Sequence, residues 1–313
     1  MGTAATLKQP SFRRRMRKVG SYWQVYVMMI PIIVFFLIFA YRPMYGIVIA
    51  FKDYMPSKGI MGSKWVGFEH FRWVFTTPEF GRAFRNTLII SFAKLFFCFP
   101  FPIIVALLLN EIPFPRLKKA IQTSIYLPYF ISWVIIGTIT YDLLNVNGGL
   151  VNNFLMTMGF DRINFLTDSK YFLPIVLLTE MWKNAGWGSI IYLSAISGVN
   201  QDLYEAAELD GCGRFRKMWH VTLPSISPIV IVMFLLAVGN VMNAGFDQIF
   251  NLYNASIYDV ADIIDTLAYR VGISQGFVER GGALGLFKTV INLILLLSAN
   301  FVVKKINGVG IYE

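Results

Sequence analysis

The sequence predicts an all-α, polytopic integral membrane protein of about six transmembrane helices, and three observations lead there. Hydrophobic residues fill 56% of the 313 positions, charged residues only 15%, and the mean hydropathy is +0.57, more apolar than the surface of a soluble chain of this length tolerates. Windows of about 20 apolar residues, the length that crosses a hydrocarbon core of ~30 Å as a helix, recur along the chain. Lys and Arg, which give a net charge of +10, punctuate those windows instead of gathering on one hydrophilic face, so the charge reads as topology and excludes a nucleic-acid binder. Two cysteines and two histidines provide neither a disulfide framework nor a set of metal ligands, so no metal or redox chemistry is expected.

The N-terminal element comes first. Residues 1–21 form a tail with Lys8, Arg13, Arg14, Arg15, Arg17 and Lys18 and no acidic residue, which puts the N-terminus in the cytoplasm by the positive-inside rule. The transmembrane domain is expected over 22–303, with spans at Tyr22–Arg42, Asn86–Leu109, Ile121–Leu144, Tyr171–Ala195, Ile226–Phe246 and Gly281–Val303. Residues 304–313 make a second cytoplasmic tail. The first span is read as an uncleaved anchor, because the apolar run from Val25 to Ala40 is long and no small-residue cleavage site precedes Arg42-Pro43. Pro31, Pro100, Pro102, Pro128 and Pro174, inside or beside spans, are expected to kink helices.

Outside, Pro43–Arg85 carries Trp65, Phe68, Phe71, Trp73, Phe75 and Phe80, which suits a helix in the headgroup region or, alternatively, a small folded cap. Asn145–Lys170 and Asp247–Arg280 are expected as outer loops. Inside, the longest loop, 196–225, is the most informative part of the chain. Asp202 and Glu205 make a capping-box pattern, Ala206, Ala207 and Leu209 favour helix, and Gly211 is suited to a left-handed ending. A basic and aromatic stretch from Arg214 to His220 then forms a second amphipathic piece, and Leu223-Pro224 marks the return into the membrane.

Glu205, Ala206, Ala207, Gly211, Val221, Leu223 and Pro224 fall at the spacing of E-A-A, three residues, G, nine residues, an aliphatic, one residue, L-P. This pattern resembles the EAA loop of permease subunits of ATP-binding-cassette importers. The phrases PMYGIVIAFKDY, VGFEHF, NTLIIS, YLPYFIS, GWGSIIYLSAISGV and GLFKTVINLILLL extend the resemblance to the carbohydrate-uptake type-1 group, in particular its lipoprotein-linked oligosaccharide and polysaccharide-fragment branch. The resemblance implies a type I importer permease in a bacterial cytoplasmic membrane. Its implied partners are a second homologous permease, two ATPase subunits that carry ATP and Mg²⁺, an extracytoplasmic solute-binding protein and an oligosaccharide substrate. The EAA helix would seat in a cleft of one ATPase, with Glu205 facing a basic residue, and pass its closure to the spans.

Enzyme chemistry is not expected in this chain. Gly282 to Gly285 followed by Lys288-Thr289 lacks the Gly-Lys adjacency of a phosphate-binding loop and lies at the start of an apolar span. His70 and His220 belong to opposite faces, so no Ser, His and carboxylate set can assemble. No catalytic residue, metal site or resident cofactor is therefore assigned.

Ionisable groups inside a bilayer are costly and mark candidate sites. Glu180, Asn184, Trp187 and Ile191 follow one helical stripe, with Lys183 one step round; Asn240, Asn243 and Asp247 are expected to share a face of the fifth span; Lys288 and Asn292 lie at i, i+4 on the sixth, and the second offers Lys94. Amides, charges and aromatic faces are what sugar recognition uses, and the cations would favour a uronate-containing substrate. The plainer alternatives are that Glu180 and Lys183 neutralise each other and that Asn243 ties two helices together. The rival reading of the whole chain is an ion-coupled secondary transporter working without an ATPase, for which Glu180 and Asp142 would be the coupling acids; it leaves the spacing from Glu205 to Pro224 without a cause.

Overall fold

A computed structural model describes residues 22–307; both expected tails, 1–21 and most of 304–313, lie outside the described residues. The chain divides into two compact units between Val66 and Gly67.

In the first unit an apolar helical run occupies Trp23–Phe51, starting as α1 (Trp23–Phe36) and tightening to a 3₁₀ turn at Tyr45–Phe51. Its side chains point outward, with none of its most apolar window buried. Such a helix is stable only where something apolar surrounds it, which is the condition lipid or a neighbouring subunit provides. Past it, β1 (Lys52–Asp53) pairs antiparallel with β2 (Lys64–Trp65), Lys52 opposite Trp65, and Phe51 stacks on Trp65 at 5.6 Å.

The second unit is built around one helix. α2 (Pro78–Ala93) begins on a proline, tolerated where the first amide has no partner, and passes through a π-helical turn at Lys94–Cys98 into α3 (Pro100–Asn110). The second span is thus longer than the expected Asn86–Leu109 and carries an irregular turn at its charged residue. α4 (Pro115–Tyr126), a 3₁₀ turn at Leu127–Phe130 and α5 (Trp133–Leu144) replace the third expected span, and the two halves meet at 101°. Pro128 therefore sits in a break, not a kink. The chain turns at Ile131 and Ser132, both extended, and the Ser132 hydroxyl caps α5 by accepting from the Ile135 amide.

α6 (Ser169–Ser197) is the hub, capped by Asp168, packed against α3, α4 and the 3₁₀ turn, and crossed by the helix beyond the 196–225 loop. At 29 residues it is about 43 Å long, enough to span, yet too polar to qualify as a lipid-facing helix by composition. The described residues so contain four apolar spanning helices, five with the bent pair, and the remaining expected span, the fourth at Tyr171–Ala195, is this partly buried one. Its burial explains the polarity: Lys183, Gly186, Ser189 and Tyr192 face the chain's own interior.

Within the loop lies α7 (Gln201–Leu209), and α8 (Leu223–Gly239), α9 (Phe246–Leu252) and α10 (Val278–Asn307) follow. Two expected loops turn out folded. In Asp247–Arg280, α9 and short helices at Tyr258–Ala261 and Ile264–Tyr269 close a core of Ile249, Ile257, Ala261 and Ile263 against Ile90 and Val176. In Pro43–Arg85, helix Glu69–Thr76 packs along α10, and Phe75, Phe80 and Phe84 surround Phe287; the folded-cap alternative describes this part.

Candidate functional site

Two places concentrate the sequence's candidates, the prong formed by α7 and the polar surroundings of α6. The prong is an outgrowth of α6, reached through Gly198 and Val199. Its N-cap is Asn200, whose side chain accepts from the Asp202 amide at 3.0 Å. The expected capping box between Asp202 and Glu205 does not form, because the helix starts ahead of Asp202; Asp202 lies in the first turn, facing the positive helix end, and Glu205 projects outward. Gly211 does close the helix in the left-handed region, at φ +75°. The Cys212 amide reaches the Ala207 carbonyl at 2.9 Å and the Gly211 amide the Glu208 carbonyl at 3.0 Å, the paired bonds of a Schellman ending.

Beyond the prong, the structure departs from the sequence reading. Arg214–Lys217, a π-helical turn at Met218–Thr222 and α8 form one continuous helix from Arg214 to Gly239, so the basic stretch is the first turns of the fifth span. The π-turn, in which the Leu223 amide reaches the Met218 carbonyl, accommodates Pro224, which has no amide to give. The prong is fixed to this helix. Ala207 and Met218 are buried where α7 meets the π-turn, the hydroxyls of Tyr204 and Thr222 lie 2.9 Å apart, and Lys217 pairs with Glu208, holding that carboxyl below its usual range. Val221 and Leu223 are half-buried, Ala206 and Pro224 exposed. Glu205 is exposed and has no side-chain partner among the described residues; Leu209 one turn on, and Phe215 and Trp219 at the start of the next helix, are 90%, 72% and 67% exposed.

At α6 the charges have partners. Glu180 accepts from Lys94 at 3.0 Å and from the Asn184 amide at 2.6 Å; Lys94 also donates to Gln248 at 2.6 Å, and Gln248 donates to the Val176 carbonyl and the Thr179 hydroxyl, both at 2.8 Å. The expected neutralisation of Glu180 by Lys183 is not seen. Lys183 turns to the opposite side, into the break between α4 and α5, and donates to the carbonyls of Tyr129, at 2.8 Å, and Ile131. Its ammonium lies 5.7 Å and 5.4 Å from the ring centres of Tyr129 and Trp133. Carbonyls freed by a helix break in the bilayer must be satisfied, and this ammonium does so. Trp187 stacks on Tyr129 at 4.6 Å and 7°. Gly186 lies so close to the α4 backbone that a Cβ there would stand 1.9 Å from the Ile125 carbonyl oxygen.

The remaining candidates separate. α8 ends at Gly239, so Asn240, Asn243 and Asp247 cannot share its face: Asn240 caps α8, Asn243 donates to Asn240 within the same turn instead of tying two helices, and Asp247 begins α9 after the left-handed Gly245. Asn240 and Asn243 do join Lys94 and Glu180 around a cavity of about 270 Å³, with Ser91 and Cys98. Lys288 and Asn292 are bound elsewhere, Lys288 to Asp265 at 2.6 Å and Asn292 as acceptor of the Met242 amide at 2.9 Å. Gln248, Tyr129 and Asp265 carry no signal in the sequence, since each meets its partner across a fold contact and not at helical spacing. Among the described residues no group of His, Cys, Asp and Glu could hold a metal ion.

Known proteins resemble this chain along most of its length. The profile of the binding-protein-dependent transport system inner membrane component family matches residues 80–307. The polygalacturonan/rhamnogalacturonan transport system permease protein YteP of Bacillus subtilis is 44% identical over 309 residues, covering 99% of this chain and 96% of that protein. Protein LplB of the same organism is 44% identical over 288 residues, 92% and 91% of the two chains. Among solved structures, a bacterial alginate ABC transporter crystallised with a periplasmic protein bound to alginate pentasaccharide contains a chain that superposes with a TM-score of 0.86 and 39% identity, over 94% of this chain and 99% of that one.

Proposed function

Because the chain belongs to the binding-protein-dependent transport system inner membrane component family, and is thus a membrane-embedded permease of an ATP-binding-cassette transporter, we propose that it imports an acidic oligosaccharide by alternating access. The observation that carries the mechanism is the prong. α7 exposes the Glu205 carboxylate and Leu209, and the start of the helix it packs on exposes Phe215 and Trp219. That is the chemistry of a surface built to seat in another protein's groove, the carboxylate fixing orientation and the apolar groups giving contact.

The partner in that groove is an ATPase subunit, one of two, supplying ATP and Mg²⁺ and all hydrolysis. A push on α7 enters α8 through the Tyr204–Thr222 contact and the packing of α7 on the π-turn, and enters α6 directly along the chain. The same motion therefore reaches the Lys94–Glu180 cavity and the broken span. In this reading a second, homologous permease completes the pathway, an extracytoplasmic binding protein delivers substrate, and both termini and the 196–225 loop face the cytoplasm. That YteP belongs to a polygalacturonan/rhamnogalacturonan transport system and the structural neighbour to an alginate transporter supports a uronate-containing substrate.

The test is to co-purify the chain with its partners, reconstitute it, and measure which oligosaccharide, presented by the binding protein, stimulates ATP turnover. Oligogalacturonate or alginate fragments should stimulate it, and joint replacement of Glu205 and Gly211 should abolish ATP-driven uptake. Full uptake by the double variant, or uptake without an ATPase, refutes the coupling scheme.

A further inference from the structure

A second concave surface lies on the other side of α6 from the polar cavity. It is an open groove of about 520 Å³ between α3, α4 and α6, walled by Phe101 and Val105, Ile125, and Met181 and Trp182, with Gly186 in its floor. Its one hydroxyl, that of Ser124, is already spent on the Ala120 carbonyl of its own helix. Apart from that hydroxyl and the Trp182 indole, the lining side chains are apolar. An apolar chain is the ligand such a lining accepts.

The charges above the groove narrow the choice. α4 buries none of its residues, and its first turns carry Arg116, Lys118 and Lys119 with no acidic residue anywhere in the helix. None of the three cations forms an ion pair among the described residues. Lys118 precedes Ile125 by seven residues, which puts it on the same face two turns, about 10 Å, along the helix. α3 and α6 run in the same direction: Cys98 lies on the Leu177 carbonyl, Gly188 on Pro102, and Ile103 and Ala106 share a core with Tyr192 and Ile196. The short connection from Asn110 to Pro115 then brings the basic start of α4 to the same side of the membrane as the prong.

A cluster of cations without ion-pair partners, one headgroup's distance from an open apolar groove, complements the charge and shape of a diacyl phospholipid with a negative headgroup. We propose that this groove is a specific site for an anionic phospholipid. The phosphodiester meets Lys118 together with Arg116 and Lys119, and one acyl chain lies along α4 against Trp182. The groove also borders the break in the third span, since Pro128 is part of its lining.

The test uses Trp182, which is 49% exposed in the groove wall. The full chain, with the proteins that co-purify with it, is placed in nanodiscs containing phosphatidylglycerol or phosphatidylcholine brominated on one acyl chain. The Trp182 signal is isolated by comparison with W182F. Half-maximal quenching is expected at a mole fraction at least fivefold lower for the brominated phosphatidylglycerol than for the brominated phosphatidylcholine, and the triple variant R116Q/K118Q/K119Q is expected to quench equally with both. These three residues are surface-exposed or half-buried, so the variant keeps its fold. Equal quenching by the two lipids in the unaltered protein overturns the proposal, as does a preference that survives in the triple variant. A Trp182 that neither lipid reaches also overturns it, because the groove is then covered by protein.

Discussion

The surroundings of α6 and the prong at its end use similar residues to opposite ends. Around α6 each charge is matched within the chain: Glu180 by Lys94 and Asn184, Lys183 by two carbonyls and two rings. On α7 the motif carboxylate, Glu205, and Leu209 are exposed, as are Phe215 and Trp219 at the start of the following helix. A group left unmatched at a surface is cheap in water and available to a partner, whereas inside a bilayer it is costly. The interior polar groups hold the permease together, and the exposed ones are left free to meet a partner.

The sharpest way to break this contrast is at Lys94. K94M leaves Glu180 without its cation in a pair whose side chains are only 14% and 21% exposed, and should destabilise the protein by about 3 kcal/mol, the lower end for a broken buried pair. K94M/E180M should recover at least half of that in thermal unfolding in detergent. Equal loss in the single and double variants would show that the pair is not a closed unit.

A smaller effect is expected at the prong. G211A puts a Cβ on a residue at φ +75°, at a local cost of about 1–2 kcal/mol. Hydrogen exchange should show faster opening of residues 201–209 with unchanged protection across α6. Equal loosening of both segments would mean that the two regions do not differ in the way described.

The smallest effect concerns acid. Lys217 holds the Glu208 carboxyl below its ordinary range, so the pair stabilises the prong at pH values above the usual glutamate pKa of about 4.3, and that stabilisation disappears as pH falls through the lowered value. Both groups are near water, and salt should weaken the effect. Exchange protection over 201–209 should drop on acidification in the unaltered protein and be insensitive to the same change in K217M.

The sequence makes some of this architecture plain and hides the rest for physical reasons. Long apolar runs bounded by charge are readable because lipid imposes one solution on them, and the Glu205 to Pro224 spacing is readable because it lies within one stretch of chain. The break between α4 and α5 shows in the sequence only as Pro128, while its cause, Ser132 starting a new helix, looks like any serine in an apolar run. The fifth span's end at Gly239 is hidden because Val241 and Met242 continue the apolar pattern through a turn. The partners of Lys94 and Lys183 come from elements far along the chain, and no periodicity within α6 could indicate them.

Lys183 has a consequence for the salts this membrane protein meets. Where other broken membrane helices leave an opening for sodium or potassium, this one is filled by an ion bolted to the chain by four methylenes. It cannot wash out, and it never needs recruiting. Exchanging the monovalent salt of the medium therefore leaves the bend where it is.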